Sequence, residues 1–230
     1  MHLNFFSTEN LFIYTQLQYE EALLRLHEGN WCILNIGSAK AVVLGSSKKR
    51  EEDLLFASPH LPVVKRFSGG GSVLVDENTI FISFILSKKD LPLFSPEEIH
   101  RWAFSFYKKA LNLSAFDLKE NDYVIGDRKC AGNAQYIQKD RYVHHTSFLW
   151  DYNPEEMKAL SLPKQAPLYR KGREHKEFLT PLKNYFSSKE SFLSSFCKTL
   201  YDNFLIEEKE QIDLEKLCLL PHRKTTSLLS

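Results

Sequence analysis

The sequence predicts an α+β fold in which mixed and antiparallel sheets pack against helices. Three observations point there. Runs rich in Val, Ile and Phe dominate the chain up to residue 90 and return between 122 and 151. One strongly amphipathic helix lies between them. The regular strand–helix alternation that would mark a parallel sheet is missing.

The elements follow in order. Tyr14 to His27 reads as a helix with Leu17, Leu23, Leu24 and His27 near one face. Trp31 to Ile36 and Ala41 to Leu44 are apolar runs separated by Gly37-Ser38, the pattern of a hairpin. Leu61 to Phe67 and Ser72 to Leu86 read as further strands. The clearest helix starts at Ser95, a good N-cap, with Pro96 at the first helical position and Glu98 completing a capping box. Ile99, Trp102, Ala103, Phe106 and Ala110 follow at helical spacing. Asn153-Pro154-Glu155-Glu156 repeats the start signal for a short helix. Ser187 with Glu190 repeats it again, ahead of Phe192, Leu193, Phe196 and Leu200. This divides the chain into a body over 1–186 and a short helical extension over 187–230.

Composition excludes several classes. The chain has 230 residues, 43% hydrophobic and 26% charged, enough for one sizeable core. With 30 basic and 29 acidic side chains, its net charge of +1 argues against a general nucleic-acid binder. No apolar run approaches the roughly 20 residues that span a bilayer, and Met1 to Thr15 lacks the basic and apolar regions of a signal peptide. Cys32, Cys130, Cys197 and Cys218 are far apart, as free thiols of a reducing cytoplasm would be; they suit neither a disulfide framework nor a zinc site.

Glycine is scarce, yet three of the nine are consecutive at Gly69, Gly70 and Gly71. Three together cost backbone entropy and offer no packing, so something requires bare backbone there. A flexible hairpin turn is one reading; a loop whose amides approach an anion is the other. Lys65 and Arg66 beside the loop favour the second. Strand-like flanks on both sides exclude a Walker P-loop and a dinucleotide fingerprint. The second informative stretch runs from Asn121-Asp122 through a Gly126-Asp127 turn to Lys129, then the small residues Cys130, Ala131, Gly132 and Ala134. Small side chains let another group approach the backbone, with Lys129 beside it as a point charge. His144-His145 has no acids at ligand spacing and is a poor metal site.

Four motifs together resemble a known family. Lys65-Arg66-Phe67-Ser68-Gly69-Gly70-Gly71-Ser72-Val73 resembles the Arg-Arg-x-Ser-Gly-Gly-Gly-x-Val segment of lipoate–protein ligases and the wider biotin/lipoate ligase superfamily. Asn121-Asp122 followed by Asp127-Arg128-Lys129-Cys130-Ala131-Gly132-Asn133-Ala134 is similar to the family's Asn-Asp and Lys-x-x-Gly-(Ser/Asn)-Ala. His144-His145 sits where the family carries His-His-Gly-Thr, and Tyr169-Arg170-Lys171-Gly172-Arg173 is similar to its Tyr-Arg-x-x-Arg. The motifs keep their order over residues 65–175.

The resemblance implies a catalytic domain of the class II aminoacyl-tRNA synthetase and biotin ligase type. It implies an enzyme that activates lipoate with ATP and Mg2+ to lipoyl-adenylate, releases pyrophosphate, and passes the acyl group to a lysine of a lipoyl domain. Lys129 would be the catalytic lysine, bridging carboxylate and phosphate oxygens and then stabilising the oxyanion of transfer. Arg66, Ser68, Gly69, Gly70 and Gly71 would line the acyl and phosphate site. Asp122 would hold magnesium or the incoming amine, and Asn121 and Asn133 would position substrate. Asp76, Asn78, Gly132, Ala134 and His145 would add substrate or nucleotide contacts. The implied partners are lipoic acid or octanoate, the lipoyl domains of 2-oxoacid dehydrogenase complexes, the glycine-cleavage H protein, and a separate accessory subunit; nucleic acid and membrane are not among them.

The chain departs from the family pattern in places. Val75-Asp76 and Glu77-Asn78 replace His-Asp and Gly-Asn, Ser46-Ser47-Lys48-Lys49 replaces Arg-x-Gln-Asn, and Thr146-Ser147 replaces Gly-Thr. The cysteine nucleophile of related octanoyltransferases is absent, since Ala115-Phe116-Asp117 stands in its place. The alternatives are thus acyl transfer without adenylation, or a non-catalytic paralogue that binds lipoate or a lipoyl domain.

Overall fold

The computed structural model describes residues 1–48, 61–157 and 166–229. Its centre is an eight-stranded sheet built from β1 (His2–Glu9), β2 (Trp31–Ile36), β6 (Thr79–Ser87), β7 (Phe116–Lys119), β8 (Asp122–Ile125), β9 (Arg128–Ile137), β10 (Arg141–Leu149) and β11 (Leu205–Glu208). The spatial order is β11-β1-β2-β6-β10-β9-β8-β7. β1 is parallel to both neighbours, and the remaining pairings are antiparallel. A four-stranded sheet of β3 (Ala41–Leu44), β4 (Val63–Lys65), β5 (Val73–Val75) and β12 (Ser227–Leu229) has the order β12-β4-β3-β5.

Alternating side chains bury both faces of the large sheet. On one face Ile80, Ile82, Phe84 and Leu86 of β6 meet α2 (Pro96–Leu111) and α5 (Lys189–Asn203) through Ile99, Phe106, Phe192 and Phe196. On the other, Phe81 and Ile85 meet α1 (Ile13–Leu26), the small sheet and Leu214 of α6 (Gln211–Leu219). A strand covered on both sides needs an unbroken apolar run, which is how β6 reads. Two short helices, α3 (Pro154–Met157) and α4 (His175–Phe178), and two 3-10 turns, Leu168–Arg170 and Leu182–Asn184, complete the described elements.

Several expectations hold and several need correction. The α2 capping box is present: the Glu98 N–H donates to Ser95 Oγ at 3.2 Å and the Ser95 N–H to Glu98 Oε2 at 3.0 Å. The expected hairpin over 31–44 does not form. β2 pairs with β1 and β6, whereas β3 pairs with β4 and β5 in the other sheet. Gly37 at φ +89° makes the crossing, and its N–H donates to Thr79 C=O at 2.9 Å. The single strand expected over Ser72–Leu86 divides into β5 and β6 at residues 76–78 for the same reason, one strand to each sheet. Helix α5 begins one residue later than expected, with Ser188 as cap and Ser191 as its reciprocal partner. Residues 187–230 were expected to be helical, yet they also supply β11 and β12. β11 joins the edge of the large sheet at β1, and β12 joins β4. Glu21 secures the approach to β12, its buried carboxylate accepting from the N–H groups of Thr225 and Thr226. No helix among the described residues is long and apolar enough to cross a membrane.

Candidate functional site

A cavity of about 720 Å³ opens on the α1 side of the large sheet. Its apolar wall includes Ile13 and Leu17 of α1, Val43 of β3 and Phe81 of β6. Its polar end is assembled from the glycine loop, β8, the start of β9 and residues 166–179. The volume lies within the range of roughly 300–1,000 Å³ usual for small-molecule sites.

The glycine loop connects β4 to β5 and closes around Arg66. The Arg66 guanidinium donates to Gly69 C=O from Nε at 3.2 Å and Nη2 at 2.7 Å, and to Gly71 C=O from Nη2 at 2.8 Å. Burial pulls this guanidinium down to about 10, with the Glu20 carboxylate opposing the shift. Gly70 has φ +105°, and a Cβ there would stand 2.8 Å from Arg66 Nη2. Arg66 is therefore a former of the loop, its Nε and Nη2 turned onto the loop's own carbonyls and its Nη1 onto Val43 C=O of β3 at 3.5 Å. Gly45, which follows β3, was not singled out from sequence. A Cβ on it would lie 2.1 Å from the Gly70 carbonyl oxygen. Beside it the Ser46 N–H donates to Ser68 C=O at 2.9 Å. The need for glycine here comes from a chain segment more than 20 residues away, which no local pattern displays.

Lys129 owes its placement to a β-bulge. Tyr123 pairs with Ala131 but Val124 with Lys129, so β9 carries one extra residue beside the lysine. Bulges of this kind re-aim side chains next to active sites. Lys129 Nζ lies 2.6 Å from Asp122 Oδ1. Asp122 Oδ2 accepts from the Tyr169 hydroxyl at 2.8 Å. Burial, together with the Asp122 and Glu120 carboxylates, raises the Tyr169 phenol well above its ordinary value, so it remains a donor. The Thr180 N–H donates to the Lys129 carbonyl at 2.9 Å, and Leu179 forms a bridge with Lys129. Residues 166–180 are thus fastened to the side chain of Asp122 in β8 and to the backbone of Lys129 in β9.

Arg170 belongs to that segment. The sequence motif contains it, yet nothing in the motif assigned it a role. It is 4% exposed and forms part of the cavity wall. Its Nε donates to Arg173 C=O at 2.8 Å, and its guanidinium lies 4.6 Å from the Phe178 ring centroid.

The paired histidines separate by strand alternation. His145 lines the cavity, and its Nδ1 lies 2.8 Å from Glu20 Oε1 and 2.9 Å from Ser83 Oγ. Gln16 joins this buried network, donating to Glu20 Oε1 at 2.9 Å. Gln16 and Glu20 sit one helical turn apart on the buried face of α1, a polar pair that sequence reasoning passed over. His144 points to the opposite face, where Nε2 meets the Tyr123 hydroxyl at 2.8 Å beneath His100.

Of the residues named from sequence, Arg66, Gly70, Gly71, Asn121, Asp122, Lys129, Gly132, Asn133, Ala134 and His145 line the cavity. Asn133 also donates to Asn121 C=O. Ser68 and Gly69 are not on the wall; their carbonyls hold Ser46 and Arg66. Asp76 and Asn78 are also absent from it. Asp76 Oδ1 accepts from the Asn78 N–H at 2.9 Å and from Thr79 Oγ1 at 3.1 Å, forming the turn between the sheets. Ser47 and Lys48 reach the wall, while Lys49 lies outside the described residues.

Both Asp122 oxygens are engaged in this structure, one by Lys129 and the other by Tyr169. Among the described residues no group of three or more His, Cys, Asp or Glu could hold a metal. No cysteine lines the cavity, and burial raises the Cys130 thiol far above its ordinary value.

Over residues 13–205 the chain matches the lipoyl protein ligase A/B catalytic domain. It is 30% identical over 196 residues to a protein of Plasmodium falciparum named inactive lipoate–protein ligase 2, covering 68% of this chain and 50% of that protein. It is 29% identical over 117 residues to a probable lipoate-protein ligase A of Mycoplasma genitalium, covering 50% of this chain and 35% of that protein. The chain therefore spans half the length of the first relative and about a third of the second. Two solved structures share the fold. One is a lipoate-protein ligase A bound with ATP, with a TM-score of 0.74 and 15% identity over 94% of this chain and 92% of that chain. The other is the bi-partite lipoate protein ligase of Thermoplasma acidophilum, solved in a study of it and its E2 lipoyl domain, with a TM-score of 0.72 and 16% identity over 95% and 91%.

Proposed function

Because the chain belongs to the lipoyl protein ligase A/B catalytic domain family, we propose that it is a lipoate–protein ligase, forming lipoyl-adenylate from lipoate and ATP and transferring the lipoyl group to a lysine of a lipoyl domain. One observation carries the reading. The Lys129–Asp122 pair, backed by the Tyr169 hydroxyl, stands where an apolar slot meets a glycine loop, in one cavity. The apolar side suits an acyl chain. The polar end offers an ammonium where a carboxylate and an α-phosphate must be held together despite their repulsion.

In the first step a lipoate carboxylate oxygen attacks the α-phosphorus, the bond to the β-phosphate oxygen breaks, and pyrophosphate leaves. Lys129 serves by exchanging its contact with Asp122 for the two converging anions. In the second step the acceptor amine attacks the acyl carbon, and the bond to AMP breaks. Asp122, released from Lys129, then faces the amine and takes its proton, with Tyr169 holding the other carboxylate oxygen. Gly70 and Gly71 place backbone close to the phosphate. His145, steadied by Glu20, lines the acyl slot. Catalysis through an acyl-cysteine finds no support, because the thiol nearest Lys129 is buried in the sheet and its proton is firmly held.

The test is the intact mass of an apo lipoyl domain after incubation with the protein, lipoate and Mg-ATP. The expected result is one lipoyl increment, abolished in Lys129→Met. If the wild type adds nothing where a known ligase succeeds, the autonomous ligase is ruled out; transfer from preformed lipoyl-adenylate then separates a partner-dependent transferase from a binding-only protein.

A further inference from the structure

Two buried guanidiniums line the cavity, and their circumstances differ. Arg66 spends Nε and Nη2 on carbonyls of its own loop, and its Nη1 faces the Val43 carbonyl of β3 at 3.5 Å. Arg170 has no carboxylate within 4.0 Å among the described residues. Asp122, the acid whose charge acts on it, is already engaged by Lys129 and Tyr169. Nε is fixed to Arg173 C=O, and Arg173 Nε returns the contact to Arg170 C=O at 3.1 Å. This reciprocal brace spans a tight turn through Lys171 at φ +52° and Gly172 at φ +73°. Among the described residues its guanidinium has one further polar contact, His175 Nδ1 at 3.5 Å from Nη2, at the limit of a hydrogen bond. Nη1 has no partner among the described residues.

A cation removed from water and left without an acid is costly unless an anion arrives to meet it. The planar fork suits a phosphate, which can accept from both nitrogens at once. The Phe178 face beneath it shields the charge and fixes its plane. Lys129, in the same cavity, is already assigned to the acyl carboxylate and α-phosphate.

We propose that Arg170 is the clamp for the terminal phosphates of the nucleotide, and so for the departing pyrophosphate. This rests on the ligase reading above and adds to it. The positive charge that the resemblance assigned to Arg66 is supplied at Arg170, and Arg66 maintains the loop.

The test is isothermal titration of the full chain with four probes: pyrophosphate, ATP, AMP and lipoate. Arg170→Gln is expected to weaken pyrophosphate and ATP by about thirtyfold, the effect of losing a charge-assisted hydrogen-bonded contact. AMP and lipoate should change by less than about threefold, because neither carries a terminal phosphate beyond the α position. Arg170→Lys, which keeps charge but not the fork, should lie between and also serves if Arg170→Gln fails to fold. Unchanged pyrophosphate affinity in either folded variant overturns the clamp. So does a wild type that binds lipoate but neither ATP nor pyrophosphate, and in that case the acyl pocket survives. A wild type that binds none of the four removes the clamp and the ligase reading together. Pyrophosphate binding that depends on Arg170, without lipoate binding, supports the clamp and refutes the ligase reading.

Discussion

Gly45→Ala is a sharp test of the site geometry, because the residue lies outside every motif that sequence reasoning singled out. The new Cβ would lie 2.1 Å from the Gly70 oxygen, where ordinary contact begins at 3.4 Å, so the two segments must part by 3.4 − 2.1 = 1.3 Å. Both are pinned. The Ser46 N–H is bonded to Ser68 C=O, and Arg66 holds Gly69 and Gly71. Overpacking costs about 1–3 kcal/mol, and losing the Ser46–Ser68 bond adds about 1 kcal/mol. The expected loss is therefore about 3 kcal/mol, a fall in melting temperature of roughly 6–12 °C at this chain length. Gly132→Ala is the control. Gly132 belongs to a family motif, yet the atoms nearest a Cβ there are Ser147 Oγ at 3.6 Å and Lys129 Cε and Nζ at 3.7 and 3.8 Å, all ordinary contacts. Removing a strand glycine should leave it within about 1 kcal/mol of wild type, on the stabilised side. Differential scanning calorimetry of the two variants decides the matter. Equal melting of Gly45→Ala and wild type, or a greater loss in Gly132→Ala, would refute the close backbone approach.

Three further outcomes are expected. Burial holds His144 well below and His100 below the ordinary imidazole range. The unfolded chain therefore binds protons the native state excludes once the pH falls below about 6.5. The urea midpoint should be flat with respect to these two groups above that value and decline beneath it, and His144→Gln should reduce the decline; an unaltered pH slope in that variant would exclude His144 as a contributor. Ser95→Ala removes the capping box of α2 and should lower unfolding free energy by about 1 kcal/mol in urea titration. Tyr169→Phe keeps the ring against Phe178, 5.2 Å between centroids, but removes the donor to Asp122. Lipoyl transfer should drop about tenfold with little change in melting, and in an Asp122→Ala background the same substitution should cost nothing more; additive losses would show that Tyr169 acts elsewhere.

What was legible in the sequence was local. The α2 cap and stripe, the apolar run of β6 and the cluster of small residues after Lys129 each declare themselves within a dozen residues. Partnership between distant segments was not legible. Gly37-Ser38 carries the signature of a turn, and only the competing strands β1 and β6 show that it crosses between sheets. Asp76 and Asn78 sit in a family-like stretch, but their bonds close a turn. Arg66 is adjacent to the glycines and was therefore read as pointing at a ligand, whereas its donors hold carbonyls of the loop and of β3. Arg170 gave no signal until the rest of the fold had left it without an acid. Gln16 and Glu20 were passed over because polar residues on a helix ordinarily face water.

The position of β1 governs how such a chain can be assembled. Its neighbours are β2 and β11, and the second pairs His2 with Leu205, a separation of 205 − 2 = 203 residues. During synthesis the first strand must hold an open row of amides and carbonyls until the segment around residue 205 has left the ribosome. Both neighbours are parallel, so neither can be supplied by a quick hairpin, and pairings this remote in sequence form slowly. An open edge beside a two-faced apolar sheet is the surface on which nascent chains adhere to one another. Refolding yield should therefore fall with protein concentration and recover when a holding chaperone covers that edge.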